Sequence, residues 1–330
     1  MKRTNSGKDE LENASAQKAV VEVPEVVGLN MRPDMPLTEA GRAIMLKQLD
    51  KLQDNSQKAR EGDPEGVHDM RVATRRLRAG LKVLEETVYN QSEVANFRRK
   101  LRGLANALGE TRDADVFLAH LDQYKAKLTE EKLNELEPLH QAITARRKEG
   151  REEMLEVLDS KKTGKLLDKL NKFLTSPDEK PKASSQKDEA TPVLVRHFSG
   201  SAVWRRYEEV LAYETRIPAP IEILHRLRVA CKRLRYTLDF FEEAMPGPTK
   251  EVFKQLTQVQ DCLGGLHDYQ VAVDLIKDLE KEQPDNQALK DYLAFRVTER
   301  DRLYGEFETL WHELSGPTYR RQLAMVLGGG

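Results

Sequence analysis

The chain has 330 residues, of which 33% are charged and only 6% are aromatic, and its 54 basic and 55 acidic side chains leave a net charge of −1. Because the total is close to zero, any attraction for anions must come from segregated cations. No apolar run approaches the roughly 18 residues that span a bilayer, so no membrane contact is expected. Cys231 and Cys262 suit a reduced, cytoplasmic protein better than a disulfide scaffold.

The first half is predicted to be helical after a flexible arm. Residues 1–36 are first polar and then interrupted by valines and prolines, which predicts the arm. A first helical bundle is expected over 37–175. Gly109 is predicted to end its third helix in a left-handed C-cap, after which Arg112 and Asp113 open a fourth. Its helices are expected near 38–60, 66–88, 92–108, 112–121, 130–159 and 163–174.

The second half is predicted to repeat this plan. Residues 176–192 contain nothing to bury, which predicts a disordered linker. A second helical bundle is expected over 193–326, followed by a flexible tail over 327–330. Gly264 is predicted to end a helix as Gly109 does. Helices are expected near 193–214, 220–244, 249–263, 267–279 and 286–314, with a short one near the C-terminus.

Two of these helices carry the same spacing of basic residues. His68 is followed by basic residues at +3, +7, +8 and +10, and the same spacing follows His225. At about 100° per residue, the histidine and most of these cations share one face, while residues such as Leu77 and Leu234 lie on the other. Each copy is therefore predicted to be an amphipathic helix with an almost purely cationic polar face.

The repeat extends beyond the basic helices. Leu-Gly-Glu-Thr-Arg-Asp at 108–113 aligns with Leu-Gly-Gly-Leu-His-Asp at 263–268. The same order of helices thus occurs twice, which indicates an internal duplication. The predicted fold class is all-α, with two pseudo-symmetric helical bundles whose basic helices face one central groove.

The basic faces favour anion binding over an ordinary solvated surface. Exposed helices usually interleave acids and bases at i,i+4, but no acid occurs between Arg71 and Lys82 or between His225 and Arg235. Solvated surface stays an alternative for Arg98, Arg102 and Lys254. The predicted anion-binding residues are His68, Arg71, Arg75, Arg76, Arg78, Lys82, Arg98, Arg102, Arg112, His225, Arg228, Lys232, Arg233, Arg235, Lys254 and His267.

The His-Asp doublets at 68–69 and 267–268 suggest a metal-dependent phosphohydrolase as an alternative. The repeat disfavours a metal site. Arg226 aligns with Asp69, and Arg112 aligns with His267, but an arginine stays protonated and cannot bind a metal ion. The acid of the second doublet recurs as Asp113, which predicts helix capping or the orientation of a nearby arginine. We therefore predict no catalytic residues, no metal and no cofactor.

Aromatic residues bear on the second alternative, a nucleic-acid or other polyanion binder. Proteins that bind single strands combine a basic groove with aromatics on which bases stack. No aromatic residue occurs in the basic helices before Tyr236, and Trp204 and Trp311 are predicted to belong to the core. Nucleic acid could then be held only through its phosphates.

The order His-x-x-Arg-x-x-x-Arg-Arg-Leu-Arg, Leu-Gly-x-x-Arg-Asp, His-x-x-Arg-x-x-x-Lys-Arg-Leu-Arg and Leu-Gly-x-x-His-Asp closely resembles the CHAD domain, the conserved histidine α-helical domain, over about 37–325. The resemblance implies two four-helix bundles around a basic cavity that binds inorganic polyphosphate without catalysis. It implies polyphosphate, other polyanions or granule proteins as partners and a cytoplasmic location at polyphosphate granules. The Glu-x-Glu-x-Lys motif of the CYTH domain, a frequent neighbour, is absent, so a stand-alone CHAD protein is expected.

Overall fold

The fold is all-α in a computed structural model that describes residues 31–85, 91–176, 193–245 and 247–328. No strand occurs in these ranges, which confirms the predicted class, and none of the described helices has the length and apolar character needed to cross a bilayer. The helices are α1 (Leu37–Asp54), α2 (Ser56–Glu61), α3 (Pro64–Glu85), α4 (Gln91–Lys125), α5 (Glu130–Glu135), α6 (Glu137–Asp159), α7 (Lys161–Thr175), α8 (Val195–Leu211), α9 (Ile221–Phe241), α10 (Lys250–Glu282), α11 (Gln287–Ser315) and α12 (Pro317–Gly328).

The two basic helices, α3 and α9, have the predicted amphipathic pattern. In α3, Leu77 and Leu81 are completely buried, and in α9 the same holds for Leu227 and Leu234. Such burial of large aliphatic side chains contributes about 1.5–3 kcal/mol each. The apolar stripe therefore fixes how each helix is rotated, and this rotation determines where its cations point.

The helices α3 and α9 pack directly against each other. A Cβ atom added at Gly80 in α3 would lie 3.0 Å from Cε2 of Phe240, at the end of α9, and 3.2 Å from Cγ of Met45 in α1. The missing side chain at Gly80 lets these helices approach closely. The close approach places the two cationic faces beside each other.

The predicted helix ends at Gly109 and Gly264 are wrong, because α4 and α10 each run through as one helix. Among the described glycines, only Gly62 has a positive φ, at 91°. Glycine inside a helix costs only about 0.5–1 kcal/mol relative to alanine. Buried residues on both sides of Gly109, such as Leu108 and Leu121, hold the helix together across it.

Two hydrophobic cores stabilise the fold, and each contains residues from both halves of the chain. The larger includes Leu81 and Leu104 from the first half and Leu234 and Phe307 from the second. The smaller core lies between α4, α6, α10 and α11, and it is formed by Ala114, Leu121, Leu136, Leu139, Ile143, Ala272, Ile276, Ala288, Leu289 and Tyr292.

Residues 31–36, which were expected to belong to the N-terminal arm, are packed. The side chains of Met31 and Met35 are buried. The backbone N–H of Leu37 donates to the carbonyl of Val193 at 2.7 Å, and that of Val195 donates to the carbonyl of Met35 at 3.0 Å. This stretch therefore joins the start of α1 to the start of α8. The rest of the predicted arm and linker, 1–30 and 177–192, lies outside the described residues.

Candidate anion-binding site

Tyr236 of α9 joins the cationic faces of the two basic helices. The guanidinium of Arg75 in α3 lies over its ring, 4.7 Å from the centroid, and that of Arg235 in α9 lies 5.5 Å from the same centroid. Such cation–π contacts stabilise two cations that would otherwise only repel each other. The ring thus brings one arginine from each copy of the motif to the same place.

Lys232 of α9 lies where the two cationic faces meet. Burial and then the charges of Arg228, Arg71 and Arg75 lower the pKa of Lys232 to about 7. Since Arg71 and Arg75 belong to α3, cations of both helices act on this one amine. The five cations grouped here are called the central cluster, and they are Arg71, Arg75, Arg228, Lys232 and Arg235.

Several arginines at the predicted positions have buried donors without a hydrogen-bond partner among the described atoms. The Nε atoms in question are those of Arg75, Arg78, Arg228 and Arg235. Leaving a buried donor unpaired costs about 1–3 kcal/mol, and native proteins rarely accept this cost. These four donors, two on α3 and two on α9, are therefore free to donate hydrogen bonds to the oxygens of an anion.

Two acids border the central cluster. Asp113 of α4 accepts a hydrogen bond from Nη1 of Arg71 at 2.9 Å. Burial lowers the pKa of Arg228, and the charges of Asp268 in α10 and of Asp113 partly oppose this shift. Both acids lie inside long helices, so the predicted helix-capping role is wrong. The alternative role, orientation of an arginine, is the one that Asp113 performs. Arg112 is half-buried beside it.

His225 and His267 lie at the edge of the central cluster. The rings of His225 and His267 are 4.9 Å apart between centroids, and both line a cavity of about 490 Å³ between α9 and α10. Burial, followed by the charge of Arg228, lowers the pKa of His267. His68 is exposed at the start of α3, one turn before Arg71.

In the part of the chain that the structure describes, no three His, Cys, Asp or Glu side chains form a potential metal site.

The cationic face of α3 continues toward α4. Burial, followed by the charges of Arg102 and Arg98, lowers the pKa of Arg78. Arg98 forms an ion pair with Glu85, and Nζ of Lys82 lies 3.6 Å from the same carboxylate. Arg102 is exposed and extends the face, whereas Glu85 offsets part of the charge of Arg98 and Lys82.

Three predicted residues lie away from the central cluster. Eight residues rotate a helix by about 80° beyond two full turns, so the +8 cations leave the face that holds +3, +7 and +10. Accordingly, Arg76 lines a cavity of about 170 Å³ beside Asp239, and Arg233 is exposed at a different cavity of about 410 Å³. Lys254 is also exposed and pairs with Glu251 on its own helix at 3.8 Å.

Two features of the site are not apparent from the sequence motif. The first is the role of Tyr236. Its place directly after Arg235 is visible in the sequence, but its contact with Arg75 of α3 depends on how the helices pack. The second is a cavity of about 90 Å³ between α4, α6, α10 and α11, lined by His120, Arg146 and Arg296 among others. These three residues lie outside the repeated motif, and only the fold brings them together.

Comparison with known proteins agrees with this architecture. A family model for the CHAD domain matches residues 43–277. The crystal structure of the CHAD domain from the plant Ricinus communis has a TM-score of 0.68 and 25% identity, covering 87% of this chain and 94% of that one. PptA from Streptomyces chartreusis shares the fold, with a TM-score of 0.64 and 16% identity over 84% of this chain and all of that one. No curated protein matches.

Proposed function

This chain belongs to the CHAD domain family, and on that premise we propose that its two basic helices bind inorganic polyphosphate along a common path. The observation that carries the proposal is the set of buried, unpartnered Nε donors on α3 and α9. Polyphosphate presents oxygens and about one negative charge at every phosphate. Each guanidinium can donate to such oxygens in a fork geometry that suits phosphate.

The proposed mechanism is the sum of many charge-assisted hydrogen bonds. The central cluster supplies five cations, and Arg78 and Arg102 extend their path along α3 and α4. Because each phosphate adds another contact, affinity grows with chain length until the path is filled. Binding releases counterions, so it weakens as salt concentration rises. The proposed architecture for this path is the predicted one, two duplicated bundles around a basic cavity.

Binding without turnover is part of the proposal, since the family is generally non-catalytic. We place the protein in the cytoplasm, at polyphosphate granules, because its ligand would gather there. The structure gives a reason to favour polyphosphate over nucleic acid. The ring of Tyr236 is already covered by Arg75 and Arg235, so it is not available as a platform on which a base could stack.

The experiment compares two double variants, each of which replaces one basic side chain on α3 and one on α9. Arg75→Gln with Lys232→Gln alters the central cluster, and Arg76→Gln with Arg233→Gln alters the adjacent residues that point elsewhere. Titration calorimetry with long-chain polyphosphate should show a loss of at least about 100-fold for the first pair, because each charged hydrogen bond contributes about 1.5–3 kcal/mol. The second pair should lose less than about tenfold.

Pyrophosphate and single-stranded RNA complete the test. Long-chain polyphosphate should bind the unaltered protein more tightly than pyrophosphate does at equal phosphate concentration, and more tightly than RNA at two salt concentrations. Equal losses in the two double variants would contradict the assignment of the site. Tighter binding of RNA, or metal-dependent release of phosphate, would contradict the proposed function itself.

A further inference from the structure

A second cationic cavity lies next to the central cluster, between α4, α6, α10 and α11. Its volume is about 90 Å³, several times the roughly 10–15 Å³ of such space that one water molecule needs. A group of a few heavy atoms, such as one phosphate, therefore has room in it. Its polar and charged lining residues are Asp113, His120, Arg146, His267, Asp268 and Arg296.

Arg296 of α11 is the residue around which this cavity is built. Its side chain belongs to the buried set at 9% exposure, and its Nε has no hydrogen-bond partner among the described atoms. A buried guanidinium remains charged, so an unpaired donor at its base is costly. The cavity thus holds a fixed positive charge with free donor capacity.

Each of the two acids that line the cavity interacts with an arginine outside the lining. Asp113 forms an ion pair with Arg71 at 2.9 Å, and the charge of Asp268 acts on Arg228. Both arginines belong to the central cluster, so they offset these two carboxylates. With these carboxylates offset, Arg296 and Arg146 give the cavity a positive charge. His120 and His267 can add to this charge when they are protonated.

His267 connects the cavity to the central cluster. It lines the cavity, and the charges of Arg228 and Lys232 in the central cluster act on its ring. A polyphosphate chain lying on the central cluster could therefore place its last phosphate in the cavity. The last phosphate differs from the internal ones, since it has a second ionisable proton, which in phosphate monoesters has a pKa of about 6.

We propose that this cavity is an end-group site, which binds the terminal phosphate of a polyphosphate chain through Arg296 and Arg146. The inference rests on the proposed function and adds to it a means of recognising chain ends. An internal phosphate cannot enter, because the chain continues from it on both sides. The cavity accordingly selects a compact, doubly charged group, and it distinguishes linear from cyclic polyphosphates.

The experiment compares linear tripolyphosphate with cyclic trimetaphosphate, which has the same number of phosphates and no ends. The preference for the linear over the cyclic ligand is measured by calorimetry in the unaltered protein and in Arg296→Gln. We expect the variant to reduce this preference about tenfold, as expected for the loss of a charged hydrogen bond, with cyclic binding unchanged. Arg302→Gln is the control, since Arg302 is an exposed residue of α11 paired with Glu306.

A second measurement uses the unaltered protein and does not depend on how Arg296→Gln folds. The groups that face His120 are Asp113, Arg146, His267, Asp268 and Arg296. Burial and then the charge of Arg296 lower the pKa of His120, against the effect of Asp268. A phosphate in the cavity should raise that pKa, which an NMR titration of the imidazole with tripolyphosphate and with orthophosphate would detect.

The outcomes separate the inference from the proposed function. An unchanged preference for the linear ligand in Arg296→Gln, or an imidazole of His120 that does not respond to tripolyphosphate, overturns the end-group site. Binding of long chains that still depends on Arg75 and Lys232 would then leave the proposed function standing. If long chains do not bind at all, the proposed function fails, and a response of His120 to orthophosphate alone would mark a simple phosphate site.

Discussion

Lys232 shows how one side chain can report the state of the whole central cluster. Burial and three neighbouring arginines lower its pKa to about 7, whereas an isolated lysine has a pKa near 10.4. At pH 8 the free protein therefore holds this amine mostly neutral. An anion placed among the same arginines favours the ammonium form, so binding should return the proton.

We expect polyphosphate binding at pH 8 to take up close to one proton through Lys232. Above pH 7 the free amine loses its proton, so affinity should fall with rising pH by up to about tenfold per unit. Calorimetry in buffers of different ionisation enthalpy measures the uptake. The control is Lys232→Arg, which should bind without this uptake because guanidinium stays charged. An equal uptake in Lys232→Arg would contradict the assignment.

The histidines make a separate contribution at lower pH. From the sequence, affinity is expected to rise as pH falls through the histidine range, with bound polyphosphate favouring the imidazolium form. Burial and the charge of Arg228 lower the pKa of His267. The gain in affinity from protonating this ring is therefore expected at a pH below the usual histidine range. The lysine and histidine effects thus fall in different pH windows and can be separated by titration.

At the scale of the element, α4 and α10 contain glycines that do not end them. A Cβ at Gly264 would meet nothing within 4 Å, whereas one at the adjacent Gly265 would lie 2.8 Å from Cδ1 of Leu303 in α11. The first glycine is thus an ordinary helix interior position. The second allows α10 and α11 to pack closely.

This pair of glycines provides a matched test of helix continuity. Gly264→Ala should raise the free energy of unfolding by about 0.5–1 kcal/mol, because alanine is the better helix former. Gly265→Ala should lower it or leave it unchanged, since Leu303 must move. Urea unfolding followed by circular dichroism measures both. If Gly264 adopted the left-handed conformation instead, Gly264→Ala would be destabilising, as is expected for Gly62→Ala at its φ of 91°.

The elements also show what can be predicted from the sequence. The amphipathic character of α3 and α9 follows from periodicity, because burial of Leu77 and Leu234 depends mainly on residue spacing. The helix ends could not be predicted from Gly109, since its local preference is weaker than the packing on both sides of it. The cavity around Arg296 could not be predicted either, because it depends on the way four helices pack.

At the scale of the whole molecule, the two halves of the sequence share their cores. The larger core combines residues such as Leu81 and Leu234, and the smaller combines Leu121 with Tyr292. The duplication proposed from the sequence therefore does not imply that each half is stable alone. Separation would expose apolar surface in both cores, at about 25 cal/mol for each Å².

We expect the fragments 31–176 and 193–328, produced separately, to lack cooperative thermal unfolding, and their mixture to recover it. Calorimetry and the dispersion of amide NMR signals would measure this. A variant of the full chain with a protease site between residues 177 and 192 is the control, and its two halves should stay associated after cleavage. Sharp, independent unfolding of each fragment would show instead that the halves are autonomous domains.

The near balance of 54 basic and 55 acidic side chains has a kinetic consequence. Beyond the Debye length, about 8 Å at physiological ionic strength, the molecule presents the field of a nearly neutral body. A passing polyanion is therefore not captured from a distance, and encounters should occur at the ordinary unsteered rate of about 10⁵–10⁶ M⁻¹s⁻¹. Selectivity then depends on the dissociation rate. Ligands that reach the buried arginines dissociate slowly, and other ligands dissociate quickly.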